Sequence, residues 1–278
     1  MLLPIRLLAL DLDGTLLNSS GLIPPANLAA LERARARGVE IVLTTGRRHL
    51  FALPIAAALG FDLWLISSNG AITKSSRGEL FHRDLLPASV ARRILVDMAD
   101  FRRCAVLTFD RESRGALAIE SAETLQGSVA RWVQANLAFI EQVVPLQDAL
   151  TADPIQAMFC GSLPLMREAG TRLSEGEFAS GITVMRTEYA SRDLCILDVL
   201  NRGCSKGHAL QRWAAGRGIH PSQILAIGDN YNDVEMLEFA GIPYIMGNAC
   251  AELKTNGWRL TLGNDEAGVA AALEEVGI

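Results

Sequence analysis

The stretch Leu7-Leu8-Ala9-Leu10-Asp11-Leu12-Asp13-Gly14-Thr15-Leu16 decides the fold. Four apolar residues run into two carboxylates two positions apart, with a glycine and a threonine directly behind. An unbroken apolar run of this length predicts a strand buried on both faces, as inside a parallel sheet. Asp11 and Asp13 then fall where the strand ends and the chain turns. In open α/β sheets that carboxyl edge is where ligands bind. Two acids so close repel each other, and in a dry setting a cation or a shared proton must relieve them. An Asp-x-Asp-Gly string also suits an ordinary turn, so its meaning depends on what distant parts of the chain supply.

The chain has 278 residues, half of them hydrophobic, and a formal net charge of −5. These values predict a soluble globular protein with a large core, built as one large domain or two moderate ones. The mildly acidic balance argues against nonspecific nucleic-acid binding, which needs clustered Lys and Arg. The five cysteines, Cys104, Cys160, Cys195, Cys204 and Cys250, show no Cys-x-x-Cys and no metal-like spacing. Most sit in apolar runs, so buried thiols in a reducing compartment are expected. Arg6 interrupts the apolar opening, no small-residue cleavage site follows, and no apolar run reaches the roughly 18 residues of a membrane span. A cytoplasmic protein without membrane contact is the expectation, either a monomer or a weak homodimer.

Along the chain, Pro24-Pro25 opens a helix that Gly38 ends, and Val39–Leu43 is the next strand. A second helix follows Arg47 to about Leu59, with Pro54 placed to kink it or end its first half. Leu63-Trp64-Leu65-Ile66 is a third strand, leading into a turn centred on Asn69-Gly70. From about Arg83 to Tyr189 the character changes. Helices at about 87–100, 124–137 and 163–174 alternate with strands at 104–109, 116–120, 155–160 and 182–186. This segment predicts a separate α+β module with its own core. From Leu194 the strand–helix alternation returns: a helix begins at Ser205-Lys206-Gly207, and Gln223–Ile227 is a strand. A helix through Phe239, strands at 243–246 and about 258–262, and a last helix from Asp265 follow. The expected division is 1–82 and 190–278 for a parallel-sheet core, with 83–189 inserted into it.

Three further strings carry chemistry. Thr44-Thr45-Gly46-Arg47 ends a strand, and a hydroxyl beside an open backbone N–H suits a phosphate oxygen, although a helix-capping threonine explains it equally. Ser205-Lys206-Gly207 puts a lysine at a helix start, where its charge opposes the helix dipole. Gly228-Asp229-Asn230-Tyr231-Asn232-Asp233 gathers two carboxylates and two amides at a strand's carboxyl end. Hard oxygen ligands of this kind are what Mg²⁺ selects, and the spacing is not that of a Ca²⁺ loop.

In order, these strings resemble the motifs of the haloacid dehalogenase (HAD) superfamily: DxDGT, a strand-terminal Thr-Gly, a Lys, and GDxxND. Asn69-Gly70-Ala71 and the tail Met246-Gly247-Asn248-Ala249 make the chain similar to the Cof-like phosphatase branch. Asp11 to Thr45 spans 34 positions, and Thr45 to Lys206 spans 161. The inserted module therefore lies between the second and third motifs, which resembles a C2-type cap. Cys204, where a small aliphatic residue is commoner, and Asn256-Gly257-Trp258 are the departures.

The resemblance implies a Rossmann-like α/β HAD core with an inserted α+β cap, and a phosphatase acting on small phosphorylated metabolites. Sugar phosphates and phosphorylated cofactors are the substrate classes it implies. It implies that Asp11 is a nucleophile forming an aspartyl-phosphate, with Asp13 as general acid and base. Mg²⁺ would be held by Asp11, the Asp13 backbone carbonyl and Asp229. Leu12, Thr45, Gly46, Lys206 and Asn232 would bind the phosphate oxygens. Asp233 would hold a metal-bound water or orient Lys206. The middle segment would act as a lid and choose the substrate. The competing readings are a sugar phosphotransferase or phosphomutase of the same superfamily, and a receiver-like phospho-Asp signalling module.

Overall fold

In a computed structural model, residues 4–123, 125 and 129–278 are described. Among them fourteen strands and eight α-helices follow one another. The chain opens with β1 (Leu7–Asp11), α1 (Pro25–Ala36), β2 (Glu40–Thr44), α2 (His49–Ala58), β3 (Trp64–Ser67), β4 (Ile72–Ser75) and β5 (Leu80–Arg83). The middle holds α3 (Ala88–Asp97), β6 (Ala105–Thr108), β7 (Leu117–Ile119), α4 (Ala130–Asn136), β8 (Ile140–Gln142), β9 (Gln156–Gly161), α5 (Leu163–Glu175), β10 (Ile182–Tyr189) and β11 (Leu194–Asn201). The last part contributes α6 (Lys206–Gly216), β12 (Ile224–Gly228), α7 (Val234–Phe239), β13 (Ile242–Ile245), β14 (Arg259–Leu260) and α8 (Gly268–Glu275). No described helix is long and apolar enough to cross a membrane.

The chain divides into two compact units: the part up to Arg83 with Ser205–Ile278, and Asp84–Cys204. The first unit is built on an eight-stranded sheet in the order β14-β13-β12-β1-β2-β3-β4-β5. From β14 to β3 all neighbours are parallel, and β4 and β5 continue antiparallel as a hairpin edge. β1 is buried along its whole length. Leu8 and Leu10 pack with Leu31, Leu43 and Leu273 on one face, while Leu7 and Ala9 pack with Leu210, Trp213 and Met236 on the other. Each such leucine contributes about 1.5–3 kcal/mol of apolar burial, which is why an unalternating apolar run marks the centre of the sheet. The chain winds outward from β1 through β2 to β3, and on the opposite side from β12 to β14. The winding direction thus changes beside β1, and the carboxyl ends of β1 and β12 flank that switch point.

Pro54 does not end α2, which runs from His49 to Ala58 with the proline inside it. The last helix starts at Gly268, later than Asp265, because Ala267 takes a left-handed conformation (φ 56°) in front of it.

The second unit is a six-stranded sheet in the order β10-β11-β9-β6-β7-β8, antiparallel except for the β7–β8 pair. Residues of α3 and α5 (Ile94, Leu95, Met166, Leu173) pack with Leu107, Phe159 and Leu197 on one face. Val106, Ile119, Met158 and Val133 form a smaller cluster. The helix expected at 124–137 is seen over Ala130–Asn136, and residues 124 and 126–128 lie outside the described residues.

The second boundary differs from the sequence expectation of 189, because the unit continues to Cys204. β10 and β11 form one hairpin, in register from Ile182↔Asn201 to Tyr189↔Leu194, closed by a left-handed turn at Asp193. β11 also pairs with β9. Flanked by strands on both sides, β11 is as apolar as a strand of the parallel sheet, and composition does not distinguish the two settings. Among the cysteines, Cys160, Cys195 and Cys204 are buried, Cys104 is intermediate and Cys250 is exposed; all are free thiols.

Candidate active site

Four loops at the carboxyl edge of the first unit's sheet bring the four strings together. Asp11 is the last residue of β1 and only 4% exposed. Lys206, at the first position of α6, is fully buried and reaches back to it, with Nζ donating to Asp11 Oδ1 at 2.6 Å. The same ammonium donates to Asp233 Oδ1 at 2.7 Å. Ser205 caps this helix by accepting from the His208 N–H at 3.1 Å. Gly207 is required by packing, because a Cβ there would stand 2.5 Å from the Glu235 backbone. The lysine against the helix dipole therefore has two carboxylates to compensate it.

Asp233 is fully buried and engages both carboxylate oxygens. Oδ1 meets Lys206, and Oδ2 accepts from the backbone N–H groups of Asp229 (3.0 Å) and Asn230 (3.1 Å). It thereby holds both the lysine and the loop that carries Asp229. The Asp229 carboxylate is gripped from two sides, Oδ1 accepting from Thr15 Oγ1 and Oδ2 from Asn248 Nδ2, each at 3.4 Å. Asn248 Nδ2 also donates to Gly14 O at 2.9 Å. Gly14 has φ 89°, and a Cβ on it would lie 2.2 Å from Asp229 Oδ2, so only glycine admits this contact.

Asp13 stands apart from this cluster. Its carboxylate is held by Arg47 through two hydrogen bonds, from Nε to Oδ2 at 2.7 Å and from Nη2 to Oδ1 at 2.5 Å, and both side chains are about one-third exposed (36%). Two acids two positions apart thus have different surroundings: Asp11 is buried against a lysine, and Asp13 is partly solvated in an arginine fork. Leu12 between them is buried in the core. Thr45 is buried, and its Oγ1 accepts from the Arg47 N–H at 3.0 Å. Gly46 follows, with the Asn69 carboxamide close by: a Cβ on Gly46 would stand 3.2 Å from Asn69 Oδ1. Asn232 is 5% exposed and donates from Nδ2 to Asn69 Oδ1 at 2.9 Å.

Oxygen atoms of Asp11, Asp229 and Asp233 all lie within 4.8 Å of one another. Burial, reinforced by Asp233 and Asp13 and opposed by Lys206, pushes the Asp11 carboxyl up to about 7. Burial and the charges of Asp11 and Asp233 raise Asp229 well above the usual carboxylate range. Two buried carboxylates, Asp11 and Asp233, share one ammonium and a third, half-buried carboxylate, Asp229, lies beside them, so the site is short of positive charge. A hard divalent cation with oxygen ligands fits this donor set. The Asp13 carboxylate is held by Arg47 and is not part of this cluster.

The structure clusters Asp11, Asp229 and Asp233, with Lys206 bonded to Asp11 and Asp233, and brings Gly46 and Asn232 to the Asn69 side chain and Thr45 to its backbone N–H. Sequence reasoning gave no role to Arg47, Asn69, Asn248 or Thr15. All four lie in strings quoted for the resemblance, and that adjacency was the available signal.

A buried carboxylate against a buried lysine, at the switch point of a parallel α/β sheet and beside a second acid, is a site of the kind α/β hydrolases carry. The chain belongs to the haloacid dehalogenase-like hydrolases, whose family model matches residues 8–273, and it is a phosphatase of that family. It is 30% identical to phosphatase YwpJ of Bacillus subtilis (strain 168), over 98% of this chain and 99% of that protein. It is 33% identical to the HMP-PP phosphatase of Shigella flexneri serotype 5b (strain 8401), over 90% of this chain and 86% of that protein. A solved haloacid dehalogenase-like hydrolase from B. subtilis superposes with a TM-score of 0.81 at 28% identity, covering 98% of this chain and 100% of the other.

Proposed function

We propose that this phosphatase hydrolyses phosphate monoesters of small metabolites, sugar phosphates or phosphorylated cofactors, through an aspartyl-phosphate on Asp11, with Mg²⁺ as cofactor. The observation that carries the reading is the contrast between Asp11, held by Lys206 at 2.6 Å, and Asp13, held separately by Arg47. In the first step an Asp11 oxygen forms a bond to phosphorus while the bond to the leaving alcohol oxygen breaks. Asp13 gives its proton to that oxygen. In the second step Asp13 takes a proton from water, the water oxygen bonds to phosphorus, and the Asp11–phosphorus bond breaks to release phosphate. Splitting one displacement into two lowers each barrier. Lys206, the Thr45 hydroxyl, the Gly46 and Leu12 N–H groups and Asn232 Nδ2 bind the phosphate oxygens and stabilise their charge. Held by Asp11, Asp229 and the Asp13 carbonyl, Mg²⁺ would offset repulsion between the nucleophile and the phosphate.

Similarity to an HMP-PP phosphatase supports a small phosphorylated metabolite as substrate. The second unit, Asp84–Cys204, carries none of the four strings and interrupts the chain between two of them, and in this reading it supplies the residues that choose the substrate. The test is phosphate release from a panel of phosphorylated metabolites, with acid-quench trapping of the phosphoenzyme and mapping of the labelled residue. Label on Asp11 with multiple turnovers supports the reading. Transfer of the phosphoryl group to a sugar, with no free phosphate, would replace the hydrolase with a phosphomutase.

A further inference from the structure

The turn between β3 and β4 is built more elaborately than a hairpin needs. Ser68 (φ 49°), Asn69 (φ 52°) and Gly70 (φ 104°) are three successive residues in the left-handed region, two of them not glycine. Such conformations persist only where the surroundings impose them. Asparagine tolerates the conformation, and an Asn-Gly pair at a hairpin tip explains the backbone. It does not explain the side chain. Asn69 is 0% exposed, whereas the side chains of a hairpin tip ordinarily face water.

The contacts of this turn reach three of the four strings. The Asn69 N–H donates to Thr45 O at 3.0 Å, and its Oδ1 lies 3.2 Å from the place of a Cβ on Gly46. A Cβ on Gly70 would stand 2.2 Å from the carbonyl oxygen of Ser205, the residue before Lys206. Asn69 Oδ1 accepts from Asn232 Nδ2 at 2.9 Å, between two buried side chains. A free carboxamide turns about its last bond and presents oxygen as readily as nitrogen. An acceptor fixed beside it engages one N–H and leaves the other N–H of the same nitrogen with a set direction.

We propose that Asn69 is a positioning residue for phosphate recognition: its Oδ1 holds the Asn232 carboxamide so that the second Nδ2–H is presented to a phosphate oxygen. This rests on the reading of Asn232 as a phosphate ligand. The left-handed turn puts the Asn69 carboxamide inside the site and not at the hairpin surface.

The test is a double-mutant cycle of Asn69→Gly and Asn232→Ala, read by inhibition with orthovanadate and by kcat and KM for an aryl phosphate. Glycine keeps the left-handed backbone and removes only the side chain. Asn69→Gly should weaken vanadate about tenfold, the scale of one hydrogen bond, and leave the Mg²⁺ requirement unchanged. In the Asn232→Ala background the same change should cost less than about twofold, because coupled residues do not add. A purely structural loss would multiply in both backgrounds, and that result overturns the proposal. If Asn232→Ala weakens vanadate while Asn69→Gly does not, the proposal alone falls. If Asn232→Ala binds vanadate as the wild type does, Asn232 is not a phosphate ligand and both readings fall. Should the glycine variant not fold, Asn69→Ser takes its place. It too removes the carboxamide acceptor from Asn232 Nδ2, so wild-type vanadate affinity in that variant overturns the proposal.

Discussion

Lys206 Nζ stands 2.6 Å from Asp11 Oδ1, and both side chains are buried. The pair joins residues 195 positions apart, so it exists only when the two halves of the first unit have assembled. Removing one partner of a buried pair leaves an uncompensated charge. Lys206→Met should therefore lower stability by about 3 kcal/mol in urea unfolding, and lower kcat by at least about a hundredfold. Asp11→Asn should abolish turnover while the protein stays folded. Substantial activity in that variant, with the fold verified by circular dichroism, would remove Asp11 as nucleophile.

Asp13 and Arg47 give a second, separable prediction. Asp13→Asn should cost on the order of a hundredfold on alkyl phosphates and much less on an aryl phosphate, whose leaving group hardly needs a proton. Arg47→Met should show the same preference in weaker form, because it frees the Asp13 carboxylate from its two hydrogen bonds. The measurement is kcat/KM for the two substrate types in each variant. Equal losses on both types would argue against proton donation by Asp13.

The proposed cation requirement can be read without turnover. Chelation should lower the melting temperature and Mg²⁺ should restore it, since binding to the native state alone stabilises it. Asn248→Ala removes the donor on Asp229 Oδ2 and on Gly14 O. Its calorimetric Mg²⁺ affinity should fall about tenfold, as for other residues that orient a metal ligand. An unchanged affinity would show that Thr15 and packing on Gly14 orient Asp229 unaided.

Burial raises Asp11 from its ordinary 3.8 to about 7 in the folded protein. Between those values the native state holds a proton that the unfolded chain has lost, so this group's contribution makes stability fall as pH rises from about 4 to 7. In chelator, the melting temperature should drop across that window in the wild type and drop less in Asp11→Asn. Identical slopes would place the Asp11 titration elsewhere.

The central strand and the four strings were legible in the sequence because each is a local pattern. Leu7–Leu10 is apolar without alternation, which only a strand covered on both faces requires, and β1 is covered so. The end of the inserted unit was not legible. Leu194–Leu197 has the composition of a parallel-sheet strand, but β11 pairs with β10 and β9 in the other sheet, a matter of long-range register. Of the two outcomes expected at Pro54, the helix does not end there: a local penalty against helix is overridden where packing holds the helix, as it does for Ala52 and Ala56 on the same helix.

By itself the sequence determined which residue types stand at the strand ends, since charge, hydrogen-bonding capacity and spacing are written in the chain. The tertiary structure alone decided what surrounds each of them. Nothing local places Asp11 against a lysine and Asp13 in an arginine fork, or brings Asn69 and Asn248 to the same cluster. Those surroundings follow from what approaches from elsewhere in the chain: Lys206 to Asp11, Arg47 to Asp13, Asn69 to Asn232, and Asn248 to Asp229. A carboxylate's charge state and a carboxamide's orientation are set by burial and by fixed neighbours, and those come into being only when the sheet has formed.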